Sequence, residues 1–148
     1  MHSPIGELTL VEEDGALTEV RFGSCPGNLA LTDTPLLSQA KQELGEYFDG
    51  TRKTFTLPLC PKGTPFQQSC WQALLQIPYG ETCTYGQQAA RIGHPKACRA
   101  VGMANHRNPL PILIPCHRVT GANGKLTGYA GGLNTKKILL QIERMNRV

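Results

Sequence analysis

Apolar and polar residues alternate near the start of the chain, around a turn that antiparallel strands commonly use. Residues 5–23 place leucine, valine and phenylalanine around the polar turn Glu13-Asp14-Gly15, so we expect a hairpin there. Residues 34–48 change to helical spacing, and residues 53–59 return to a strand-like alternation. Residues 1–60 are therefore predicted to form a small α/β unit with a three-stranded antiparallel sheet and one helix.

The pattern after residue 60 is mostly helical. Residues 60–63 (Cys-Pro-Lys-Gly) are the best linker candidate, because proline and glycine interrupt regular structure. Two of the later helices are short and joined by a glycine-containing turn, as in a helix-turn-helix, although any pair of antiparallel helices would look similar. The four helices are expected to begin at Thr64, Thr84, His94-Pro95 and Asn134. We therefore expect an α+β protein with an N-terminal supporting domain over residues 1–60 and a helical domain over residues 61–148.

Charge divides the chain in the same place. The formal charge of +4 hides nine acidic and four basic residues in the first 60 positions, against two acidic and eleven basic residues in the remainder. This asymmetry suggests that only the second part meets a polyanion. Two of the bases, Lys96 and Arg99, lie on or near the second helix of the candidate motif.

Small residues also mark that helix. They would let it approach a nucleic-acid groove closely, and they would equally let it pack against another helix. The small residues in question are Ala97, Ala100 and Gly102.

The composition excludes several classes of protein. A hydrophobic share of 40% is ordinary for a globular protein and too high for a disordered one. No apolar run approaches the roughly 20 residues of a membrane span, and the first residues lack the pattern of a secretory signal. The six cysteines include no Cys-x-x-Cys pair, so we expect reduced thiols in a cytoplasmic protein.

One segment combines a rigid backbone with reactive side chains. Three prolines interrupt the apolar run over residues 109–115 and restrict its backbone ahead of Cys116-His117. A lone buried cysteine is usually inert. Here an imidazole, the carboxamide of Asn108 and the guanidinium groups of Arg99 and Arg118 are near or could be brought near, which is a setting that favours the thiolate. Cys116 is therefore the candidate nucleophile.

Two further features complete the candidate site. Residues 120–133 contain five glycines, which is typical of a loop that can cover a planar ligand, although a plain surface loop would look the same. It contains no Gly-Lys-Ser/Thr sequence and so is not a phosphate loop. Glu143 borders the apolar face of the last predicted helix, and a carboxylate so placed usually has a partner. His117 is the obvious candidate for that partner.

Taken together, these motifs resemble those of a known family, the O6-alkylguanine-DNA alkyltransferases or methylated-DNA–protein-cysteine methyltransferases. The resemblance covers most of residues 64–148, and its signature around the cysteine is very specific. The N-terminal segment matches weakly, through Ser3-Pro4-Ile5-Gly6 and its strand–helix–strand pattern. The matching stretches are Gly80-Glu81, Tyr85-Gly86-Gln87-Gln88-Ala89-Ala90, Arg99-Ala100-Val101-Gly102, Asn108-Pro109, Pro115-Cys116-His117-Arg118-Val119, Gly128-Tyr129-Ala130-Gly131-Gly132, and Leu139-Leu140 with Glu143.

The resemblance implies a role for each residue around the nucleophile. Cys116 would accept the alkyl group, His117 would contact its thiol through a water, and Glu143 would orient and charge His117. Asn108 would hold the turn around the site. Tyr85 would hydrogen-bond the extruded base and help its phosphate to rotate. The residues implied to contact the base are Pro111, Val119, Tyr129, Ala130 and Gly131, with the carbonyls of Cys116 and Val119 reading the guanine amino group.

The resemblance also implies how DNA is bound. Arg99 would enter the base stack and fill the gap left by the flipped guanine. The helix around it would lie in the minor groove, with Lys96, Ala97, Ala100 and Gly102 at the contact. The implied activity is the stoichiometric, irreversible transfer of an alkyl group from O6-alkylguanine in duplex DNA to Cys116. O4-alkylthymine is a further candidate substrate.

The implied fold is a ribonuclease H-like N-terminal domain followed by a winged-helix-like helix-turn-helix domain. We expect a monomer that needs no cofactor, binds double-stranded DNA and no membrane, and works in the cytoplasm (at the nucleoid of a bacterium, or in the nucleus of a eukaryote). Some relatives bind zinc in the N-terminal domain. The soft ligands before residue 61 are His2, Cys25 and Cys60, one too few for the usual four-ligand site, so no metal is expected.

Three alternatives and three departures stay open at this stage. The chain could instead recognise lesions without removing them, hydrolyse esters with Cys116 and His117, or act as a helix-turn-helix regulator. Where some relatives have serine the chain has Ala130, and Cys98 replaces a commoner alanine. Asn105 and His106 are expected to border the pocket, which leaves the preference for substrate size open.

Overall fold

The structure is a computed structural model that describes residues 1–23 and 33–147, so the candidate zinc ligand Cys25 lies outside the described residues. The elements of these ranges mix helices and short strands, as expected. They are β1 (Leu8–Glu13), β2 (Ala16–Phe22), α1 (Pro35–Phe48), α2 (Pro65–Leu75), β3 (Cys83–Thr84), α3 (Tyr85–Arg91), α4 (Cys98–His106), β4 (Val119–Thr120) and α5 (Leu133–Met145), with 3-10 turns at Cys116–Arg118 and Ala122–Gly124.

The predicted hairpin is confirmed. β1 and β2 pair in antiparallel register, with Leu8 opposite Phe22 at the open end. Asp14 and Gly15 form the turn with φ angles of 51° and 80°, both in the left-handed region. A two-residue turn of this hand matches the twist of the strands, and an Asp-Gly pair adopts it readily.

The prediction of a third strand in this sheet is wrong. Among the described residues the hairpin is a two-stranded sheet, and the 53–59 segment adds only one parallel bridge between Leu59 and Leu17. Pro58 has no N–H to extend a ladder. Thr56 gives both its backbone N–H and its hydroxyl to the carboxylate of Glu43 on α1, at 2.9 and 2.6 Å. The segment is therefore tied to α1 through Thr56 and meets β2 only at the single bridge of Leu59 with Leu17.

Threonine caps fix where the helices begin. Thr34 accepts a hydrogen bond from the backbone N–H of Leu37, whereas Thr64 and Thr84 each form a capping box with the glutamine three residues later. The third predicted helix begins later than expected, at Cys98 and not at His94-Pro95. Residues 94–97 instead form a turn closed by the N–H of Ala97 on the carbonyl of His94, at 2.9 Å.

Buried polar side chains lock the helices of the C-terminal part together. The indole N–H of Trp71 on α2 donates to the carbonyl of Ala104 on α4, at 2.9 Å. Gln88 on α3 and Asn105 on α4 exchange two hydrogen bonds through their carboxamides, at 3.0 and 2.8 Å. Asn105 is therefore turned into the core, against the expectation that it borders the pocket. These bonds fix the angle between the two helices of the helix-turn-helix.

The described ranges contain neither a membrane-spanning helix nor a cluster of metal ligands. None of the helices there is long and apolar enough to cross a membrane. In residues 1–23 and 33–147 there is no group of three or more histidine, cysteine, aspartate or glutamate side chains that could hold a metal ion.

Candidate functional site

The proline-rich segment is folded into a closed turn by one side chain. Asn108 donates from Nδ2 to the carbonyl of Ile114 at 2.8 Å and accepts at Oδ1 from the N–H of Leu110 at 2.9 Å. Within that turn the N–H of Ile114 also bonds the carbonyl of Leu110, and Ile112 is held at a φ of 74°. A β-branched residue in the left-handed region is strained, so the surrounding contacts must fix this conformation. The N–H of Cys116 bonds the carbonyl of Ile114 at 2.8 Å, so the turn also fixes the backbone at Cys116.

Cys116 begins the 3-10 turn and is only 7% exposed. Burial raises the pKa of its thiol to about 11, although the Asn108 side chain, the charge of Lys136 and the Tyr129 hydroxyl act in the opposite direction. Neither guanidinium group that was expected to favour the thiolate bonds the thiol. Arg99 is exposed on α4, and Arg118 donates to the carboxylate of Glu143. The buried thiol therefore needs a neighbouring base to lose its proton.

His117 is fully buried and is that neighbour in sequence. Its Nε2 lies 2.5 Å from Oε2 of Glu143, which confirms the predicted pair. Burial lowers the pKa of His117, although the bond to Glu143 opposes the shift. A neutral imidazole that donates from Nε2 keeps a lone pair on Nδ1. Within the described residues this buried Nδ1 has no hydrogen-bond partner, so it is free to take a proton.

Glu143 is the centre of a larger network than the sequence predicted. Its two carboxylate oxygens accept five hydrogen bonds, including two from Arg118 at 2.8 and 3.1 Å and one from the backbone N–H of Gly80 at 3.2 Å. The hydroxyl of Tyr47, from α1, donates to Oε2 at 2.6 Å. Although burial raises the pKa of Glu143, bonds from His117 and Arg118 hold it at about 2. The carboxylate is therefore ionised at neutral pH.

A buried lysine is a second residue that sequence reasoning missed. Lys136 is fully buried on α5, where its ammonium donates to the carbonyl of Val119 at 2.6 Å and to that of Thr127 at 3.1 Å. Burial lowers the pKa of Lys136. In the sequence it stands beside Lys137 near a helix start, which is typical of exposed lysines. The structure instead uses it to join the cysteine segment to the glycine-rich loop.

The glycine-rich loop packs against β2 and the start of α3. Tyr129 is buried and meets Phe22 of β2 edge-on, with ring centroids 6.0 Å apart. Gly131 lies so close to the ring of Phe22 that a Cβ at Gly131 would be 2.8 Å from that ring. The hydroxyl of Thr127 donates to that of Tyr85 at 2.9 Å, which connects the loop to the start of α3. Three further residues were predicted to contact the extruded guanine. Of these, Pro111 and Val119 are buried and Ala130 is exposed.

The residues predicted for DNA lie mostly on the surface. Lys96, Arg99 and Ala100 are exposed, and Ala97 is half-buried at the N-terminus of α4. Gly102 is half-buried, and a Cβ there would lie 3.8 Å from the ring of Tyr85. Its small size therefore serves the contact between α4 and Tyr85 as well as any approach to a groove.

Fold and site together define a class: a two-part protein in which a helix-turn-helix adjoins a buried cysteine, and the next residue is a histidine paired with a buried glutamate. Two family models match the chain. One, described as the ribonuclease-like domain of 6-O-methylguanine DNA methyltransferase, matches residues 1–61, and the other, described as its DNA binding domain, matches residues 65–145. The chain belongs to the 6-O-methylguanine DNA methyltransferase family.

Individual relatives agree with this assignment. The constitutive methylated-DNA–protein-cysteine methyltransferase of Bacillus subtilis (strain 168) is 52% identical, over 97% of this chain and 93% of its own length. A methylated-DNA–protein-cysteine methyltransferase of Methanosarcina acetivorans is 49% identical over 95% and 94%. The crystal structure of Mycobacterium tuberculosis OGT in complex with DNA superposes with a TM-score of 0.90 at 48% identity, covering 99% of this chain and 91% of that one.

Proposed function

We propose that this protein repairs DNA by direct reversal, moving the alkyl group of O6-alkylguanine onto Cys116. One observation carries the proposal: a buried thiol stands beside a buried histidine–glutamate pair, in the part of the chain that matches the family's DNA-binding domain. The basic surface of that part, including Lys96 and Arg99, supports double-stranded DNA as the partner.

The chemistry follows from the arrangement. The thiol proton passes through a water to Nδ1 of His117, whose Nε2–H bond to Glu143 stabilises the imidazolium that results. The thiolate then attacks the alkyl carbon in line, so that a carbon–sulfur bond forms as the carbon–O6 bond breaks. Guanine leaves as its anion and takes a proton from a hydroxyl donor, a role we propose for Tyr85. His117 then releases its extra proton to solvent and Tyr85 takes one back, so that the net transfer is one proton from the thiol to guanine. The thioether has no acyl carbon for water to attack, so the protein does not turn over.

The base must leave the helix for this chemistry. O6 is out of reach within a stacked duplex, and extrusion costs a few kcal/mol, less for a poorly paired damaged base. We propose that Arg99 fills the vacated space and that α4, with Ala97, Ala100 and Gly102, lies in the minor groove. Loop residues Tyr129, Ala130 and Gly131, together with Pro111 and Val119, would enclose the flipped base.

The proposal extends to the domain boundary, the oligomeric state, the cofactors and the cellular location. We propose the boundary between the supporting and DNA-binding domains at residues 60 and 61, and a monomer that acts without a cofactor or metal. A cytoplasmic location fits a thiol nucleophile, and the described cysteines Cys60, Cys70, Cys83, Cys98 and Cys116 are all free thiols.

Single-turnover stoichiometry tests the proposed function. With duplex DNA carrying O6-methylguanine in excess, guanine should be restored until one lesion has been repaired for each protein chain, and then repair should stop. Chromatography of the hydrolysed DNA measures the plateau. Continued repair beyond one equivalent would mean a catalytic cycle and would contradict the thioether product, and no repair at all would favour lesion recognition alone.

Arg99→Ala should separate base extrusion from chemistry. Because Arg99 is exposed on α4, far in sequence from the Cys116 turn, the variant should repair duplex DNA slowly yet react normally with free O6-benzylguanine. A loss of about 1–3 kcal/mol, which is roughly 5- to 150-fold in rate, is expected if the side chain offsets the unstacking of one base. Lys41→Ala, which removes a positive charge from α1, is the control. Equal losses with both substrates would show that Arg99 does not act on the DNA stack.

A further inference from the structure

The N-terminal domain supplies one atom to the reaction centre. The hydroxyl of Tyr47, on α1, donates to Oε2 of Glu143 at 2.6 Å and lies 3.5 Å from Nε2 of His117. Oε2 is also the oxygen that His117 contacts at 2.5 Å. Arg118 also bonds Oε2, at 3.1 Å, so three donors share this carboxylate oxygen, and Tyr47 is the one of the three that comes from the N-terminal domain.

The ring of Tyr47 is enclosed by three other aromatic rings. The side chain is fully buried, and its ring meets Phe48, Phe55 and Tyr79 with centroids 5.5, 5.7 and 6.1 Å away. Burial and the adjacent Glu143 carboxylate raise the pKa of Tyr47 far above its usual range. The hydroxyl therefore stays protonated and is a permanent hydrogen-bond donor.

Sharing the oxygen changes how strongly Glu143 attracts the proton of His117. A hydroxyl donor draws negative charge from Oε2, and Arg118 draws charge from both oxygens through its two bonds. Less charge is then left at Oε2 to stabilise an imidazolium in the resting protein. A neutral His117 with a lone pair on Nδ1 can accept a proton, whereas an imidazolium cannot.

We propose that Tyr47 is a positioning residue of the N-terminal domain, which keeps His117 neutral and oriented as the proton acceptor for Cys116. The inference rests on the proposed transfer to Cys116 and gives the supporting domain a direct part in it. The charged and titratable groups that surround this pair are Glu143 and Lys136 on α5, Cys116 and Arg118 in the 3-10 turn, Tyr79 after α2, and Tyr129 in the glycine-rich loop.

The test is the pH dependence of methyl transfer in Tyr47→Phe, which keeps the ring and removes the donor. With more charge on Oε2, His117 should protonate more readily. We therefore expect the acid limb of the rate profile, and the imidazole pKa of His117 followed by NMR, to move up by about half a unit to one unit. Leu44→Val, at a fully buried position on the same helix, disturbs packing without touching Glu143 and should leave both readouts unchanged.

A second variant works in the opposite direction. Tyr47→3-fluorotyrosine keeps the bond with a more acidic hydroxyl, which is a stronger donor, so both readouts should move down; this variant decides the question if Tyr47→Phe does not fold. Unchanged readouts in the Tyr47 variants, or an equal shift in Leu44→Val, would overturn the role of Tyr47. If the wild-type chain transfers no methyl group, the proposed function fails, and the NMR titration of His117 still tests Tyr47 independently.

Discussion

Cys116→Ser is expected to reduce methyl transfer to the background rate while DNA affinity stays unchanged. Transfer from an sp³ carbon needs a soft, strong nucleophile, and a serine hydroxyl at neutral pH is a poor one. A neutral His117 can remove the proton of a thiol. It removes the proton of a serine hydroxyl far less readily, because the hydroxyl is a much weaker acid. Removing the nucleophile of an enzyme commonly costs more than roughly 10³-fold in rate, and a loss of that size is expected here.

The comparison for this variant is Cys60→Ser, at an exposed cysteine outside the site. It makes the same chemical exchange and should repair at the wild-type rate. Rates come from the loss of O6-methylguanine from duplex DNA, and affinity from gel shift or anisotropy on the same duplex. Repair by the Cys116→Ser chain at more than a small fraction of the wild-type rate would exclude Cys116 as the acceptor.

Glu143→Gln is expected to be the most destabilising single change at the site. The carboxylate accepts two bonds from the guanidinium of Arg118, which is itself buried, and removing its charge leaves that cation uncompensated. Breaking a buried ion pair from one side typically costs about 3–5 kcal/mol. Urea denaturation measures the loss, and Glu46→Gln is the control because Glu46 pairs with Arg52 at the surface, where about 1 kcal/mol or less is expected.

The same carboxylate gives stability a particular dependence on pH. The pKa of Glu143 is about 2 in the folded protein against an ordinary 4.5, so its contribution is complete above pH 4.5 and disappears as the pH falls towards 2. The wild-type protein should therefore lose unfolding free energy more steeply across that range than Glu143→Gln does. Parallel curves for the two proteins would show that Glu143 is not held ionised by the folded structure.

Local chemistry in the sequence predicted the local structure well. The stretch Glu13-Asp14-Gly15 predicted the hairpin turn, and Thr64 and Thr84 predicted helix starts, because these features depend on a few neighbouring residues. The strand predicted over residues 53–59 failed for the opposite reason. Whether Thr56 bonds a neighbouring strand or the carboxylate of Glu43 depends on which element lies beside it, and alternation along the chain carries no information about that.

The same limit explains the residues missed at the site. The pairing of His117 with Glu143 could be inferred because a lone acid in a basic, apolar setting needs a partner. Nothing in the sequence indicated that Tyr47 bonds Glu143, since an aromatic residue at helical spacing is usually a residue of the hydrophobic core. The sequence suggested that Lys136 is exposed, whereas it is buried. It also suggested that Arg118 lies beside the thiol, whereas Arg118 bonds Glu143. Only the three-dimensional packing around the 3-10 turn shows these contacts.

The central claim is that Cys116 accepts the alkyl group, and mass spectrometry tests it most directly. The wild-type chain is mixed with an equimolar duplex carrying a single O6-methylguanine, and both the intact protein and its peptides are weighed. We predict a gain of one methyl group per chain, located on the peptide that contains Cys116, with guanine restored in the DNA. An unchanged mass, or a methyl group on any other residue, would contradict the account.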